Sequence, residues 1–428
     1  MSEQSLPSSL VQATTIDSID LAQSMVEDML LRRASLSDRT TIGRVANDLC
    51  LHPNIVQQAF QGLRDRQFFD VLHLEGLGNY HFTLTDAGRD RARAVFERSG
   101  YIGAAPVTMK TYTEIVGWLR TEVEVSDERL RARFSDLVLN PKIVDELGAA
   151  FAGQRSILLW GPAGTGKTSL AERLVRLYED WVLVPHAVEI DGGIIAVFDP
   201  SIHTPVETEI PDLDPRWVIC ERPLVVAGGE LELSMLQLQR DPVTKVYSAP
   251  LQMKANNGIL LIDDFGRQMV DPGALLNRWI IPLERRIDYL SLSSGQKFPV
   301  PFEVLVVFST NLDPNQLGDD AFFRRIQNKI YIGAATAEEF DEILNRAARH
   351  FEVNLPPGAH ESVRRKLAEV GKKGLNACYP VDLVRLVRNV ADYRKQPRDM
   401  TDHMIDQAAS LYFTAAPTEA LTGVFTKR

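Results

Sequence analysis

The sequence predicts an α/β protein: a P-loop parallel-sheet core with a C-terminal helical lid, preceded by a small winged-helix α+β domain. Three observations carry this. SILLWGPAGTGKTSLAERLVRLY sets a glycine-rich loop between an apolar strand and an amphipathic helix. From Phe134 to about Tyr331, short apolar runs alternate with helical stretches, as in a parallel sheet with crossover helices. Beyond Ala335 the apolar spacing is helical throughout.

In order along the chain, residues 1–16 are polar and read as a flexible tail, and 17–100 as the winged-helix-like domain. Helical spacing runs from Ile16 to about Leu31, then through TTIGRVANDLCL, capped by Asp38 or Thr40, and PNIVQQAFQGLRDRQFF. VLHLEGLGNYHFTLT reads as a hairpin about a Gly-Leu-Gly-Asn turn, and DAGRDRARAVFERSG as a further helix. Three helices followed by a hairpin is the winged-helix order, with residues 53–68 in the recognition slot. Residues 101–130 read as a linker with a stalk helix over 111–123, residues 131–333 as the nucleotide-binding domain, and 334–428 as lid and tail.

The chemistry concentrates at Gly161, Pro162, Ala163, Gly164, Thr165, Gly166, Lys167 and Thr168, with Ser169 continuing into the helix. Glycines let consecutive backbone N–H groups turn inward onto phosphate oxygens, and the helix N-terminus adds positive potential there. Lys167 supplies a charge to the β- and γ-phosphates of ATP, and the Thr168 hydroxyl is suited to Mg²⁺. Downstream, GILLIDDFGRQ is a buried-strand run ending in two carboxylates. Asp263 is expected to hold the Mg²⁺ shell, and Asp264 to orient and deprotonate water. A third strand, VLVVFSTNLD, ends in Asn311, which can hydrogen-bond that water or the γ-phosphate.

Composition sets bounds. Of 428 residues, 45% are hydrophobic and 24% charged, which excludes disordered and collagenous classes. Net charge is −10, which argues against a chain that coats nucleic acid. Residues 1–100 carry ten arginines, no lysine and thirteen acids, so protein docking is favoured over DNA for that domain, although Asn54, Gln57, Gln58, Gln61, Arg64 and Arg66 could touch a duplex. Cys50, Cys220 and Cys378 are widely spaced and form neither a zinc nor a disulfide pattern. With no apolar run long enough to span a bilayer and no secretory pattern at the N-terminus, a cytoplasmic setting without membrane insertion is expected.

On these motifs, in this order, residues 134–415 resemble the AAA+ ATPases. The helix and hairpin before the Asn311 strand resemble the clade of MoxR-like chaperones and enhancer-binding activators. The resemblance implies ATP hydrolysis with Mg²⁺ in a ring, usually a hexamer. It makes Asn311 the sensor-1 residue and sets Val138 and Leu139 of FSDLVLNPKIVDELGAAF near the adenine. It also implies that Arg324 or Arg325 of DDAFFRRIQNKI, with Arg325 preferred, reaches a neighbour's γ-phosphate.

The chain departs from the family in two places. The usual catalytic Glu is Asp264, and the sensor-2 position is Val381, with Arg385 one turn on as a substitute. No aromatic–apolar–Gly pore loop follows the second strand. VPHAVEIDGGIIAVFDP and VAGGELELSMLQLQRDPVTKVYSAPLQMKANN read as insertions on the ring face. The expected function is ATP-driven remodelling of a protein client. The alternatives are a DNA-associated initiator, loader or regulator, and a nucleotide switch that barely hydrolyses.

Overall fold

Five parallel strands form the core sheet, in the order Leu224–Ala227, Ile259–Ile262, Leu305–Thr310, Ile157–Trp160 and Asn328–Tyr331. The computed structural model describes residues 6–75, 79–120, 125–314 and 324–413. The hairpin turn at 76–78, the DDAFF stretch at 319–323 and the end of the 111–123 segment lie outside the described residues, as does the tail beyond 413. Both faces of the sheet are covered, which is why its strands are continuously apolar rather than alternating. Leu158, Leu260, Val306 and Phe308 pack on one side with Trp279 and Phe265. Ile157, Leu159, Leu261 and Val307 pack on the other with Phe151 and Leu174.

Because every strand runs the same way, Trp160, Ile262 and Thr310 end on one edge. The residues that follow, Gly161, Asp263 and Asn311, therefore meet there, as ligand sites do at the carboxyl ends of parallel strands.

The second strand of this sheet is Leu224–Ala227. The expected insertion beginning at Val226 therefore opens with the last residues of a core strand. What is inserted is a β layer. Trp181–Pro185 pairs with Trp217–Glu221, and a second sheet runs Gln239–Arg240, Tyr247–Ser248, Gly193–Ala196, Ala187–Ile190 and Val107–Thr108. The hairpin Ile287–Ser291 and Lys297–Pro301 joins them, burying Leu290, Phe298 and Val300 in the same cluster as Val188 and Ile195.

Two segments expected to be loose are part of this layer. The helix Met109–Trp118 is not a free stalk: Met109, Tyr112, Ile115 and Val116 form an apolar stripe buried in the cluster. The N-terminal segment is held as well. Leu10 is fully buried there, Val11 bridges Leu213, and Asp214 N donates to Leu10 O at 2.8 Å.

The N-terminal unit contains the helices Gln23–Ala34, Ile42–Leu49, Pro53–Asp65 and Asp86–Arg98, with an antiparallel sheet ordered Thr40–Thr41, Asn79–Leu84, Phe69–Glu75. The first helix starts at Gln23, later than its periodicity suggests. Ile19 and Leu21 are buried ahead of it, and Asp20 between them is tied elsewhere. Neither Asp38 nor Thr40 caps the second helix; the Thr41 side chain accepts from Arg44 N at 3.2 Å.

Asp20 joins this unit to the β layer. Its carboxylate accepts from Thr108 N at 3.0 Å, Thr111 Oγ1 at 2.7 Å and Arg216 Nη1 at 2.7 Å. Arg216, itself buried, also pairs with Asp214 at 2.6 Å.

Four helices, Ala337–Phe351, Ala359–Glu369, Cys378–Arg394 and Asp402–Tyr412, make the lid around Phe340, Leu344, Leu383 and Val387. A capping box at Thr336 and Glu339 opens the first of them.

Candidate functional site

The P-loop runs from the strand Ile157–Trp160 into the helix Lys167–Arg173. Its turn needs glycine. Gly161 has φ +140°, and a Cβ there would meet Ile332 O at 2.3 Å; Gly164 and Gly166 also sit at positive φ, +77° and +92°. Thr165 Oγ1 donates to Pro162 O at 3.0 Å, bracing the loop, and Ser169 O accepts from Arg173.

Lys167 is buried and folds back over the loop, donating to Gly161 O at 2.9 Å, Pro162 O at 2.7 Å and Asn311 Oδ1 at 2.7 Å. Burial pushes its pKa down, while the carboxylates of Asp263 and Asp264 pull the other way. Thr168 Oγ1 donates to both Asp263 oxygens, at 3.0 and 2.9 Å. A hydroxyl and a carboxylate at that separation are hard oxygen donors on one spot, which fits Mg²⁺ shared with phosphate oxygens and water. No cluster of three or more His, Cys, Asp or Glu side chains suited to a metal occurs among the described residues, so a cage made wholly of protein is not on offer here.

Asp264 adopts φ +49°, uncommon for a residue with a side chain, and it lies exposed at the strand end. Its Oδ1 accepts from Asn311 Nδ2 at 2.8 Å. Its own N–H donates to Asp263 Oδ1 at 3.0 Å. Gln268, which belongs to no motif, donates to Asp263 O at 2.8 Å and holds the turn after the strand. The structure thus brings Lys167, Thr168, Asp263, Asp264 and Asn311 into one connected network.

The lid closes on the loop through residues that are equally unmarked in the sequence. Asn376 Nδ2 donates to Ala163 O at 2.9 Å, and Cys378 N donates to Gly164 O at 3.0 Å. Val381 is partly exposed one turn into that helix, and Arg385 pairs with Asp382 of the same helix rather than with the loop. Val138 and Leu139 are both half-buried, just ahead of the helix Pro141–Ala152. Leu139 packs against the cluster containing Leu159 and Ile332, while Arg346 of the lid donates to Ser135 O at 2.7 Å and Leu137 O at 3.3 Å.

Arg324 and Arg325 lie at the opposite end of the sheet, just before Asn328–Tyr331 and beside Ser156 at the start of the P-loop strand. Four residues of strand, about 13 Å, separate that end from the loop. Neither arginine serves its own P-loop from there. Arg325 Nε is held by Glu284 Oε1 at 2.5 Å, whereas Arg324 is exposed and has no ion pair among the described residues.

Two family models match parts of the chain: magnesium chelatase, subunit ChlI, over residues 134–190, and a domain of unknown function (DUF8689) over 336–411. The first span contains Val138, Leu139 and the whole P-loop; the second is the lid. A comparison with the curated proteins finds no match. Among solved structures, the RuvB Holliday junction branch migration motor of Thermotoga maritima is similar at 16% identity, covering 69% of this chain and 73% of that one with a TM-score of 0.36. NtrX from Brucella abortus in complex with ADP is similar at 14% identity, covering 78% and 68%, with a TM-score of 0.43. The core is thus a five-stranded parallel sheet with a P-loop after one of its inner strands and a four-helix lid. No helix among the described residues is long and apolar enough to cross a membrane.

Proposed function

We propose that this chain is an AAA+ ATPase that binds Mg²⁺–ATP at Gly161–Thr168, hydrolyses it in a ring, usually a hexamer for this fold, and uses the cycle to remodel a protein partner. The network of Lys167, Thr168, Asp263, Asp264 and Asn311 on one sheet edge is the observation that carries the reading. In it, Lys167 would exchange its loop carbonyls for phosphate oxygens, Thr168 and Asp263 would hold Mg²⁺, and Asp264 would take the proton of a water positioned by Asn311. The Mg²⁺ supplies charge neutralisation at the phosphates when bound. Arg324 and Arg325 face away from their own site, which supports their use by a neighbouring copy.

A protein partner is favoured over DNA by the pairing of the N-terminal arginines. Arg33, Arg66, Arg89, Arg91, Arg93 and Arg98 are each within ion-pair distance of an acid of the same unit. In the recognition slot of what we read as a winged helix, Gln58 accepts from Ile16 N at 2.9 Å and Arg66 is held by Glu27 at 2.5 Å. Few cations are left there to meet phosphates. The alternative of a nucleotide switch that barely hydrolyses is favoured by one feature, the short Asp264 side chain already engaged by Asn311.

The test is a trap. Asp264→Asn is incubated with ATP and Mg²⁺, and whatever macromolecule stays bound is recovered and identified. ATP retention with a protein recovered supports the reading. DNA alone would overturn the choice of partner, and failure to retain ATP would overturn the site.

A further inference from the structure

The antiparallel strands Phe69–Glu75 and Asn79–Leu84 of the N-terminal unit break their own alternation. Phe69 lies opposite Leu84 and Val71 opposite Phe82, but the next pair is His73 opposite His81, so Leu72 is an extra residue on one strand. In an unbroken ladder Leu72 would face His81 and His73 would face Tyr80, because side chains alternate with a period of two. The bulge instead turns His73 onto the outer face of the sheet, away from the side on which Phe69, Tyr80 and Phe82 pack around Phe60.

Apolar burial does not account for this shift, since Leu72 stays 43% exposed and Leu74 54%. What the shift achieves is a pair of imidazoles, their ring centroids 4.0 Å apart and their planes 17° from parallel. Re-aiming a side chain is a recurrent use of bulges beside functional sites. His73 is exposed and His81 half-buried, so the pair opens to solvent, and the exposed Asp70 lies on the same outer face opposite Thr83.

Directly opposite residues have Cβ atoms about 4.5–5.5 Å apart, which lets two histidines each bring a ring nitrogen to one ion at about 2.0–2.1 Å. Neutral imidazole suits Zn²⁺, Ni²⁺ and Cu²⁺, whereas Mg²⁺ and Ca²⁺ take oxygen ligands. We propose that His73 and His81 form a two-histidine site for a divalent transition-metal ion of this zinc–nickel–copper group. A net charge of −10 favours cations near the chain. Among the described residues no third His, Cys, Asp or Glu joins the pair, so the ion's remaining positions go to water or to a donor from a partner molecule. The bound ion clamps the edge strand Phe69–Glu75 to its neighbour where the bulge interrupts the ladder.

The test titrates NiCl₂ calorimetrically into the full-length chain, prepared without a histidine tag and stripped of metal. One saturable site per chain is expected, indifferent to millimolar Mg²⁺. His73→Gln and His81→Gln should each weaken it at least about tenfold, because either leaves a single donor. Leu72→Ala disturbs the same stretch of strand while keeping both rings, and should bind as wild type does. An equal loss there would assign the affinity to the hairpin's integrity and overturn the proposal. A spectroscopic arm separates a lost ligand from a lost fold: of the chain's eight histidine rings, Zn²⁺ should first shift the NMR signals of the two that vanish in the Gln variants. No saturable binding, unchanged affinity in both Gln variants, or other rings shifting first would each overturn the proposal. Nucleotide enters no arm, so the outcome is independent of the P-loop reading.

Discussion

Asn311 donates its side-chain amide to the Asp264 carboxylate at 2.8 Å and turns its oxygen onto Lys167 Nζ at 2.7 Å. An ammonium only donates and a carboxylate only accepts, so chemistry alone fixes which way the amide faces. On the proposed reading, Asn311 would orient Asp264 as the base and Lys167 as the phosphate ligand together. Asn311→Ala is expected to lower ATP turnover about 10²-fold while nucleotide affinity stays within a few-fold. Steady-state hydrolysis beside fluorescent-nucleotide titration reads both, and unchanged turnover would remove Asn311 from the site.

Gly164 lies against the lid: a Cβ there would come 2.4 Å from Cys378 Sγ. Gly164→Ala should weaken nucleotide binding for two reasons, the clash and the φ of +77°. Adding Cys378→Ala removes the sulfur and should recover part of the loss. The backbone cost of about 1–2 kcal/mol, roughly 5- to 30-fold in affinity, should remain. A double variant no better than the single would mean that the lid contact is irrelevant to binding.

The ion pair between Arg325 and Glu284 shifts the expected finger to Arg324. Arg324→Ala should bind ATP normally and hydrolyse about 10³-fold more slowly. Mixing it with Lys167→Ala, which has an empty pocket and an intact finger, should restore part of the turnover. No recovery despite demonstrated co-assembly would count against a shared site.

Arg216→Ala strands two carboxylates, Asp20 and Asp214, where they have lost their counter-charge. A loss of about 3–5 kcal/mol is expected in urea unfolding, because removing one partner leaves uncompensated buried charge. The same contact predicts the pH response. Burial raises the Asp20 pKa, but the Arg216 charge and the hydrogen bonds from Thr108 and Thr111 outweigh it and hold it below the ordinary value. A depressed carboxylate gives its full stabilisation above its unfolded pKa, and that is lost as pH falls through the folded value. Wild type should therefore lose stability below about pH 4 more steeply than Asp20→Asn. Parallel acid-unfolding curves would contradict this.

The legible parts of the site are those set by local sequence. A strand, a glycine loop and a helix are contiguous, and a carboxylate or Asn ending an apolar run lands on one edge of a parallel sheet. The placement of Lys167, Asp263 and Asn311 therefore follows from the chain alone. Asp20 and Arg216 lie 196 residues apart, and nothing in either neighbourhood marks the other. Leu10 reads as part of a polar tail because its apolar partners come from the inserted layer. The lid's hold on the loop through Asn376 and Cys378 uses a side-chain amide and a backbone N–H, neither of which leaves a motif. Arg385 is the exception: an Asp three residues earlier on a helix is a readable signal for a local pair.

The position of Ile157–Trp160 also governs how the molecule comes into being. Its hydrogen-bonding neighbours on the two sides are Leu305–Thr310 and Asn328–Tyr331, both far later in the chain. At about 5–20 residues per second, the ribosome needs roughly 8–30 seconds to make the intervening stretch of roughly 150 residues. For that interval the strand is apolar with both edges bare, a template for wrong pairing. The inserted layer is made during this wait. Its strands from Trp181 to Glu221 form two antiparallel pairs of their own, and the strands added to them, Val107–Thr108 and Tyr247–Ser248, are both made before Leu305, so it can collapse before the core is able to. Nucleotide-binding competence should therefore appear late and abruptly in synthesis, when the last parallel strand arrives.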